Sequence, residues 1–540
     1  MLKSKTISLK IALLAILVSN ATGEVRLPAI ISDNMLLQSG TAVRIWGWAD
    51  PGEVVSIDLA GQHATVTANT DSSWIVELEP VVSGGPYELV VTAANTFAVT
   101  NILAGELWLC AGQSNMRWHI EDSEGAEVTL ANAEFPEIRI FTVGPNAAAT
   151  PENDCEGAWQ VVQPNLKELA RFTAVGYYFG RKLHQELGLP VGLIDNSWGG
   201  TPIEAWMSAK ALESDQDFQF YLDQGADWLA NIDTNTAIFE RELLAPWRSQ
   251  VAAAEAAGIT PPQRPRTPNS LRPQWLPSYL YNGMIVPLAP LVIKGVIWYQ
   301  GESNAARPET YRAMFETMIA DWREAWDLGD IPFYYAQLSL RQTEVTPVPG
   351  KSQWGMIREA QLQALKVANT GMAVTTDIGE VGNIHPRNKL DVGLRLARWA
   401  LHKDYGQNEL AVSGPLYSDM ALEGSKIRIS FDHASDGLVI DGRKLKQIAI
   451  AGEDCKFVWA KAKIEGNTLL VWNRRVKKPV AVRYSWADVP AGANLFGGNG
   501  LPASPFRTGL VTKSDTGRIV SGLLMIISPP LAYSPPSVTR

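Results

Sequence analysis

Ser114 stands in Gly112-Gln-Ser-Asn115, directly after the apolar run Leu107-Trp-Leu-Cys110, so a buried strand would break there into a tight turn. Such strand-to-helix corners lift one hydroxyl out of a sheet, and Gly112 allows a bend that a β-carbon would hinder. A serine nucleophile needs a base, donors for the developing oxyanion and a group that orients the base. Of the six histidines, His184 and His402 fall in helical patterns, and His63 and His433 fall in β-rich stretches. His119, five residues after Ser114, stays open as a base. His385 is the stronger candidate, because Gly382-Asn-Ile-His-Pro-Arg-Asn-Lys389 reads as a loop between a strand and a helix, on the same rim as Ser114. Two further rim loops, Asp195-Asn-Ser-Trp-Gly-Gly-Thr-Pro202 and Trp298-Tyr-Gln-Gly-Glu-Ser-Asn304, carry glycines and side-chain amides. The oxyanion donors expected are the Ser114 N–H, an N–H of Gly199 or Gly200, and the amide of Gln300 or Asn304. Glu380 and Asp377 both precede His385 and either could orient it. A Ser-His dyad, with Asn383 or a backbone carbonyl holding the ring, is the third option.

These loops need a scaffold, and the pattern of the chain supplies one. From residue 24 to about 103, short β-rich runs such as Ala42–Gly47, Val54–Leu59 and Tyr87–Thr92 alternate with Pro/Gly turns, which predicts a small β-sandwich. From 104 to 412 apolar runs alternate with helical patterns. Strands are expected at Ile138–Val143, Val191–Ile194, Val292–Tyr299, Phe333–Leu338 and Met372–Thr375, and helices at Ala174–Leu187, Pro308–Trp326, Met356–Val367 and Lys389–His402. This alternation reads as an α/β unit with a mostly parallel sheet, whose chemistry belongs beyond the carboxyl ends of its strands. A polar, Pro-rich helical stretch at about 208–277 interrupts it and reads as an insertion that could form part of a lid. Strand patterns return from 413 to 508, predicting a second β domain, while 509–540 carries no assignable structure.

Length and composition bound the rest. A chain of 540 residues exceeds one hydrophobic core. With 47 basic against 56 acidic residues, a net charge of −9 and no basic stripe, a nucleic-acid partner held through phosphates is excluded. The charged head, the mostly apolar Ile7–Val18 and Ala21-Thr-Gly23 read as a signal peptide over 1–23, so a secreted or periplasmic chain is expected, with no membrane span after cleavage. Three cysteines cannot build the fold through disulfides, and Cys110 is read as a small buried hydrophobe. No zinc, Walker or dinucleotide motif appears, and neither a cofactor nor a metal is expected.

Gly112-Gln-Ser-Asn-Met116, Trp198-Gly-Gly-Thr201, Trp298-Tyr-Gln-Gly-Glu-Ser-Asn304 and Ile384-His-Pro-Arg-Asn-Lys389 together resemble the four blocks of SGNH hydrolases, specifically the sialate O-acetylesterase group. The likeness begins at about Ser32-Asp-Asn-Met-Leu-Leu-Gln38 and reaches the C-terminal β region. It implies a flavodoxin-like parallel sheet with flanking β-sandwich domains. It also implies metal-independent removal of acetyl groups from sugar hydroxyls, with Ser114 and His385 as nucleophile and base. Two positions depart from the pattern. Gly382 and Asn383 stand where relatives often carry an acid, and Arg117 stands where they often carry an acidic or small residue. The expected function is a secreted serine esterase acting on an acetylated carbohydrate, sialic acid first. An acetylxylan or other polysaccharide deacetylase is the alternative within enzymes, and a non-catalytic carbohydrate-binding protein is the alternative outside them.

Overall fold

The computed structural model of the chain describes residues 24–341 and 352–509. The expected signal peptide and nearly all of the C-terminal tail lie outside the described residues.

The N-terminal strands are β1 (Leu36–Gln38), β2 (Val43–Trp48), β3 (Val54–Leu59), β4 (Gln62–Thr67), β5 (Ser73–Leu78), β6 (Gly84–Thr92) and β7 (Thr96–Gly112). β3 pairs antiparallel with β4 and β6, β6 pairs with the first part of β7, and β2 pairs separately with β5. Their alternating buried positions, Val55, Ile57, Leu89 and Val91 on one sheet with Ile45 and Trp74 on the other pair, meet in one core.

β7 is the spine of the molecule. Along its first residues buried and exposed positions are mixed, but from Ile102 to Gly112 every residue is buried, as expected of a strand covered on both faces. The expected domain boundary at 103–104 therefore falls inside one continuous strand. Its inner half is the centre of a second set of strands: β8 (Phe135–Thr142), β9 (Trp159–Val162), β10 (Val191–Ser197), β11 (Gly295–Tyr299), β12 (Phe333–Ala336) and β13 (Thr370–Ala373). The order is β13-β12-β11-β7-β10-β8-β9, parallel throughout except for the antiparallel edge strand β9. After β7 the chain first builds β8 and β10 on one side, then crosses to build β11, β12 and β13 on the other. The change of direction occurs at β7, so the crevice opens at its carboxyl end.

Short α1 (Ser114–Arg117) follows β7 directly, and the longer helices of this unit are α2 (Ala174–Leu187), α3 (Pro308–Trp326), α4 (Gln353–Gln363) and α5 (Leu390–Lys403). α2 begins at Thr173, whose hydroxyl accepts from the Gly176 N–H at 3.2 Å, and ends at Gly188 in the left-handed conformation, so both boundaries have local chemical causes. α5 buries one stripe, Val392, Leu396, Ala397, Trp399 and Ala400 among them. The insertion folds into three main helices, Gln219–Ala230, Ile232–Phe239 and Ala245–Ala256. Its Tyr221 hydroxyl pairs with Thr310 of α3 at 2.6 Å, and Arg307 stacks on Phe220.

The C-terminal strands form an antiparallel four-stranded sheet from Leu416–Glu423, Lys426–Asp432, Thr468–Trp472 and Lys461–Glu465, together with further short strands. They enclose a core of their own around Ile427, Ile429, Val471 and Tyr484.

Candidate active site

The site is built from four loops at the carboxyl end of the parallel sheet. β7 ends on Gly112 at φ +141°, and a β-carbon there would lie 2.3 Å from the Tyr299 carbonyl oxygen of β11. Only glycine lets the two strands approach while the chain turns. The turn is pinned by the Gln113 N–H donating to Tyr299 O at 3.0 Å, and α1 then starts with Ser114.

Ser114 Oγ lies 2.9 Å from Nε2 of His385. The imidazole is half-buried and stacks on Trp118, with ring centroids 5.0 Å apart. Burial, and then the positive charge of Lys389, hold His385 below the ordinary histidine value, so it rests neutral and able to accept the Ser114 proton. His119, the other histidine left open, sits beside Glu121 and Asp122 at 3.9 and 3.8 Å and makes no hydrogen bond to Ser114.

Gly199 packs against Ser114, a β-carbon built on it lying 3.5 Å from Ser114 Cβ. The N–H groups of Ser114 and Gly199 have no protein acceptor among the described residues. Gly200 holds the turn at φ +70°. The two candidate amides differ. Gln300 is fully buried, and its Nε2 donates to Thr201 O at 3.1 Å and to Asn304 Oδ1 at 2.7 Å, while its Oε1 accepts from Tyr311 at 2.9 Å. The expectation that Gln300 donates to an oxyanion is therefore corrected, since both of its N–H bonds are engaged inside the protein. Asn304 Nδ2 donates one hydrogen to Glu204 at 2.8 Å, which leaves one in hand.

Neither acid expected to orient the base does so. Asp377 forms a fork with Arg395, two bonds of 2.7 Å, and both side chains are largely buried. Glu380 accepts from Asn383 Nδ2 at 3.0 Å and from the Arg387 N–H at 2.7 Å. Burial raises the Glu380 carboxyl, but these bonds and the Arg387 charge outweigh that and hold it below its ordinary value. Asn383 in turn accepts the His385 N–H at 2.9 Å, so Glu380 shapes the histidine loop without reaching the ring. Among the described residues no carboxylate hydrogen-bonds the imidazole.

With this geometry in hand, likeness to known proteins is informative. A sequence profile described as "Carbohydrate esterase, sialic acid-specific acetylesterase" matches residues 269–402. A carbohydrate acetylesterase from Xanthomonas citri is similar at 33% sequence identity and a TM-score of 0.76, over 90% of this chain and 99% of that one. The chain belongs to the sialic acid-specific acetylesterase family of carbohydrate esterases. Sialate O-acetylesterases of Mus musculus and Homo sapiens are similar at 29% identity over 527 residues, 89% of this chain, and these alignments take in 94% and 92% of the two relatives. The chain is an esterase.

Around the Ser114–His385 contact stand further buried polar residues that the spacing alone did not reveal. Asn115, buried beside Ser114, donates from Nδ2 to Glu302 Oε1 at 2.6 Å and to Ile384 O at 3.0 Å, and its Oδ1 accepts from Lys389 Nζ at 2.6 Å. Burial drives Lys389 down to about 7 against the pull of Glu302 and Glu380, and burial likewise raises Glu302. Glu204, which holds Asn304, is pushed up by burial to about 7. All four residues lie inside or beside the four sequence blocks. Their presence there was the only signal, since a contact between loops far apart in the chain leaves no periodicity to read.

Proposed function

We propose that this esterase removes O-acetyl groups from carbohydrate as an SGNH-type serine hydrolase, with sialic acid as the leading substrate. The observation that carries the reading is the 2.9 Å contact between Ser114 Oγ and His385 Nε2, beside a glycine loop with unengaged N–H groups. Ser114 attacks the acetyl carbonyl while His385 takes its proton. The tetrahedral oxyanion is met by the N–H groups of Ser114 and Gly199 and by the remaining hydrogen of Asn304 Nδ2. His385 returns the proton to the leaving sugar oxygen, and water, deprotonated by the same ring, clears the acetyl-enzyme. With Glu380 and Asp377 engaged elsewhere, the reading is a Ser-His dyad, its ring held by Trp118 and its loop by the Asn383–Glu380 pair.

Arg117 favours an acidic sugar over a neutral xylan. It lies three residues after Ser114 in α1, and side chains at that spacing share one helix face about 5–6 Å apart. Its half-buried guanidinium has no hydrogen-bond or ion-pair partner among the described residues, although its charge reaches the buried Asp195. A planar, permanently charged fork suits a sugar carboxylate. Similarity to the sialate O-acetylesterases of mouse and human points the same way. The apolar N-terminal stretch supports export of the chain. Among the described residues no helix is long and apolar enough to cross a membrane.

Acetate release across O-acetylated sialic acids, acetylxylan and a simple aryl acetate tests the substrate. The reading expects sialic acid to be preferred over acetylxylan and expects Arg117→Gln to narrow that preference. Equal turnover of both sugars by the wild type would remove the sialic acid assignment and leave the deacetylase.

A further inference from the structure

Lysine is almost never fully buried unless a partner compensates it, yet Lys389 is 1% exposed. Its ammonium reaches Asn115 Oδ1 at 2.6 Å, and the rings of Trp118 and Tyr299 each stand 5.6 Å away. Asn115 is also buried, and both hydrogens of its amide are engaged, on Glu302 Oε1 and Ile384 O. That set of partners admits only one orientation of the amide, oxygen toward the ammonium and nitrogen toward the two acceptors. The consequence is a cross-brace of three loops. Asn115 is the neighbour of the nucleophile, Ile384 is the neighbour of the base, and Glu302 belongs to the loop that carries Asn304.

We propose that Lys389 is a positioning residue of this esterase, whose buried ammonium fixes the Asn115 amide and through it the register of Ser114 against His385. The proposal rests on the reading of Ser114 and His385 as the reacting pair. A buried ammonium serving stability alone would tie loops together as well, so the decisive consequence is electrostatic. The charged group acting on His385 is Lys389, at the entry to α5, whereas Glu380 of the histidine's own loop is turned toward Asn383 and Arg387. Glu302 stands behind Asn115 and faces Lys389. Lys389 is the cation of this set that opposes protonation of His385. Removing its charge should therefore let the imidazole protonate at higher pH.

The test uses the full-length enzyme with an aryl acetate. Lys389→Met is expected to lower kcat by about 100-fold, the scale of a misplaced reacting pair, with KM nearly unchanged. The acid limb of its kcat/KM profile should move to higher pH. Asn115→Ala, which keeps the ammonium and removes the brace, is expected to lower kcat similarly without that movement. The double variant should be little worse than either single one, as for residues acting in one network. Lys389→Met that folds, by circular dichroism, and keeps kcat within about threefold with an unmoved acid limb overturns the proposal. Should Lys389→Met not fold, Asn115→Ala decides alone, and near-wild-type kcat there also overturns it. Failure of the underlying reading looks different, because Ser114→Ala would then retain activity.

Discussion

In the proposed mechanism His385 must be free of its proton before acyl transfer starts, and burial and the neighbouring Lys389 charge favour that state. Its ordinary value is 6.5 and the protein lowers it, so kcat/KM should stay high as pH falls toward that value and drop only below it. A pH–rate profile with an uncharged aryl acetate checks this, and an acid limb above 6.5 would assign the base elsewhere. His385→Ala should be nearly inactive, whereas His119→Ala should change turnover only mildly. The acids separate by the same measurement. Asp377→Asn loses its fork with Arg395 and should cost stability, about 3–5 kcal/mol for one partner of a largely buried pair, with kcat of the folded enzyme little changed. Thermal unfolding beside kcat distinguishes this from loss of an orienting carboxylate, which costs about 10⁴-fold in turnover in serine proteases. For the oxyanion, Asn304→Ala should lower kcat by roughly 100- to 1,000-fold.

At the scale of elements, the carboxyl end of β7 is where backbone geometry becomes chemistry. Gly112→Ala drives a methyl group into the Tyr299 carbonyl, 2.3 Å away before any shift. The variant should lose about 1–3 kcal/mol of stability, as overpacked sites do, and a larger fraction of its activity, measured by denaturant unfolding and by kcat. The long elements were legible in the sequence. The helices Ala174–Leu187 and Pro308–Trp326 stand at their expected ends because a capping Thr173, a terminal Gly188 and an N-terminal Pro308 mark them chemically. β13 was displaced, beginning at Thr370 rather than Met372, since strand ends are set by pairing with β12 and not by local residues. β1 and β9 were missed. At three and four residues they are too short to show a period, and both are specified by their partners β7 and β8. At the site, Ser114 was legible because it follows a buried apolar run and Gly112, and His385 because only six histidines stand in the chain and this one falls in a loop between a strand and a helix. The engagement of Gln300, Asp377 and Glu380 was not, because it depends on Tyr311, Arg395 and Arg387 reaching them in space.

Across the whole molecule, buried cations join the catalytic sheet to its neighbours. Arg358 of α4 is fully buried and donates to Leu338 O at 2.8 Å, to Ser339 O, and to Ala487 O of the C-terminal β unit at 2.7 Å. Glu359 and Arg507 pair across the same seam at 2.6 Å. Replacing Arg358 with Met leaves several buried carbonyls unpaired at once. It should cost several kcal/mol, about 1–3 for each unsatisfied group, and thermal unfolding should report it. The N-terminal strands have a more direct link, since β7 passes through both sets of strands without a break. The chemistry is proposed to sit at the end of that strand, and the turnover of an O-acetylated sugar by Ser114→Ala tests this most directly. A loss on the order of a million-fold is expected, in a variant whose thermal unfolding matches the wild type. A folded Ser114→Ala enzyme that still releases acetate at more than about a few percent of the wild-type rate would contradict it.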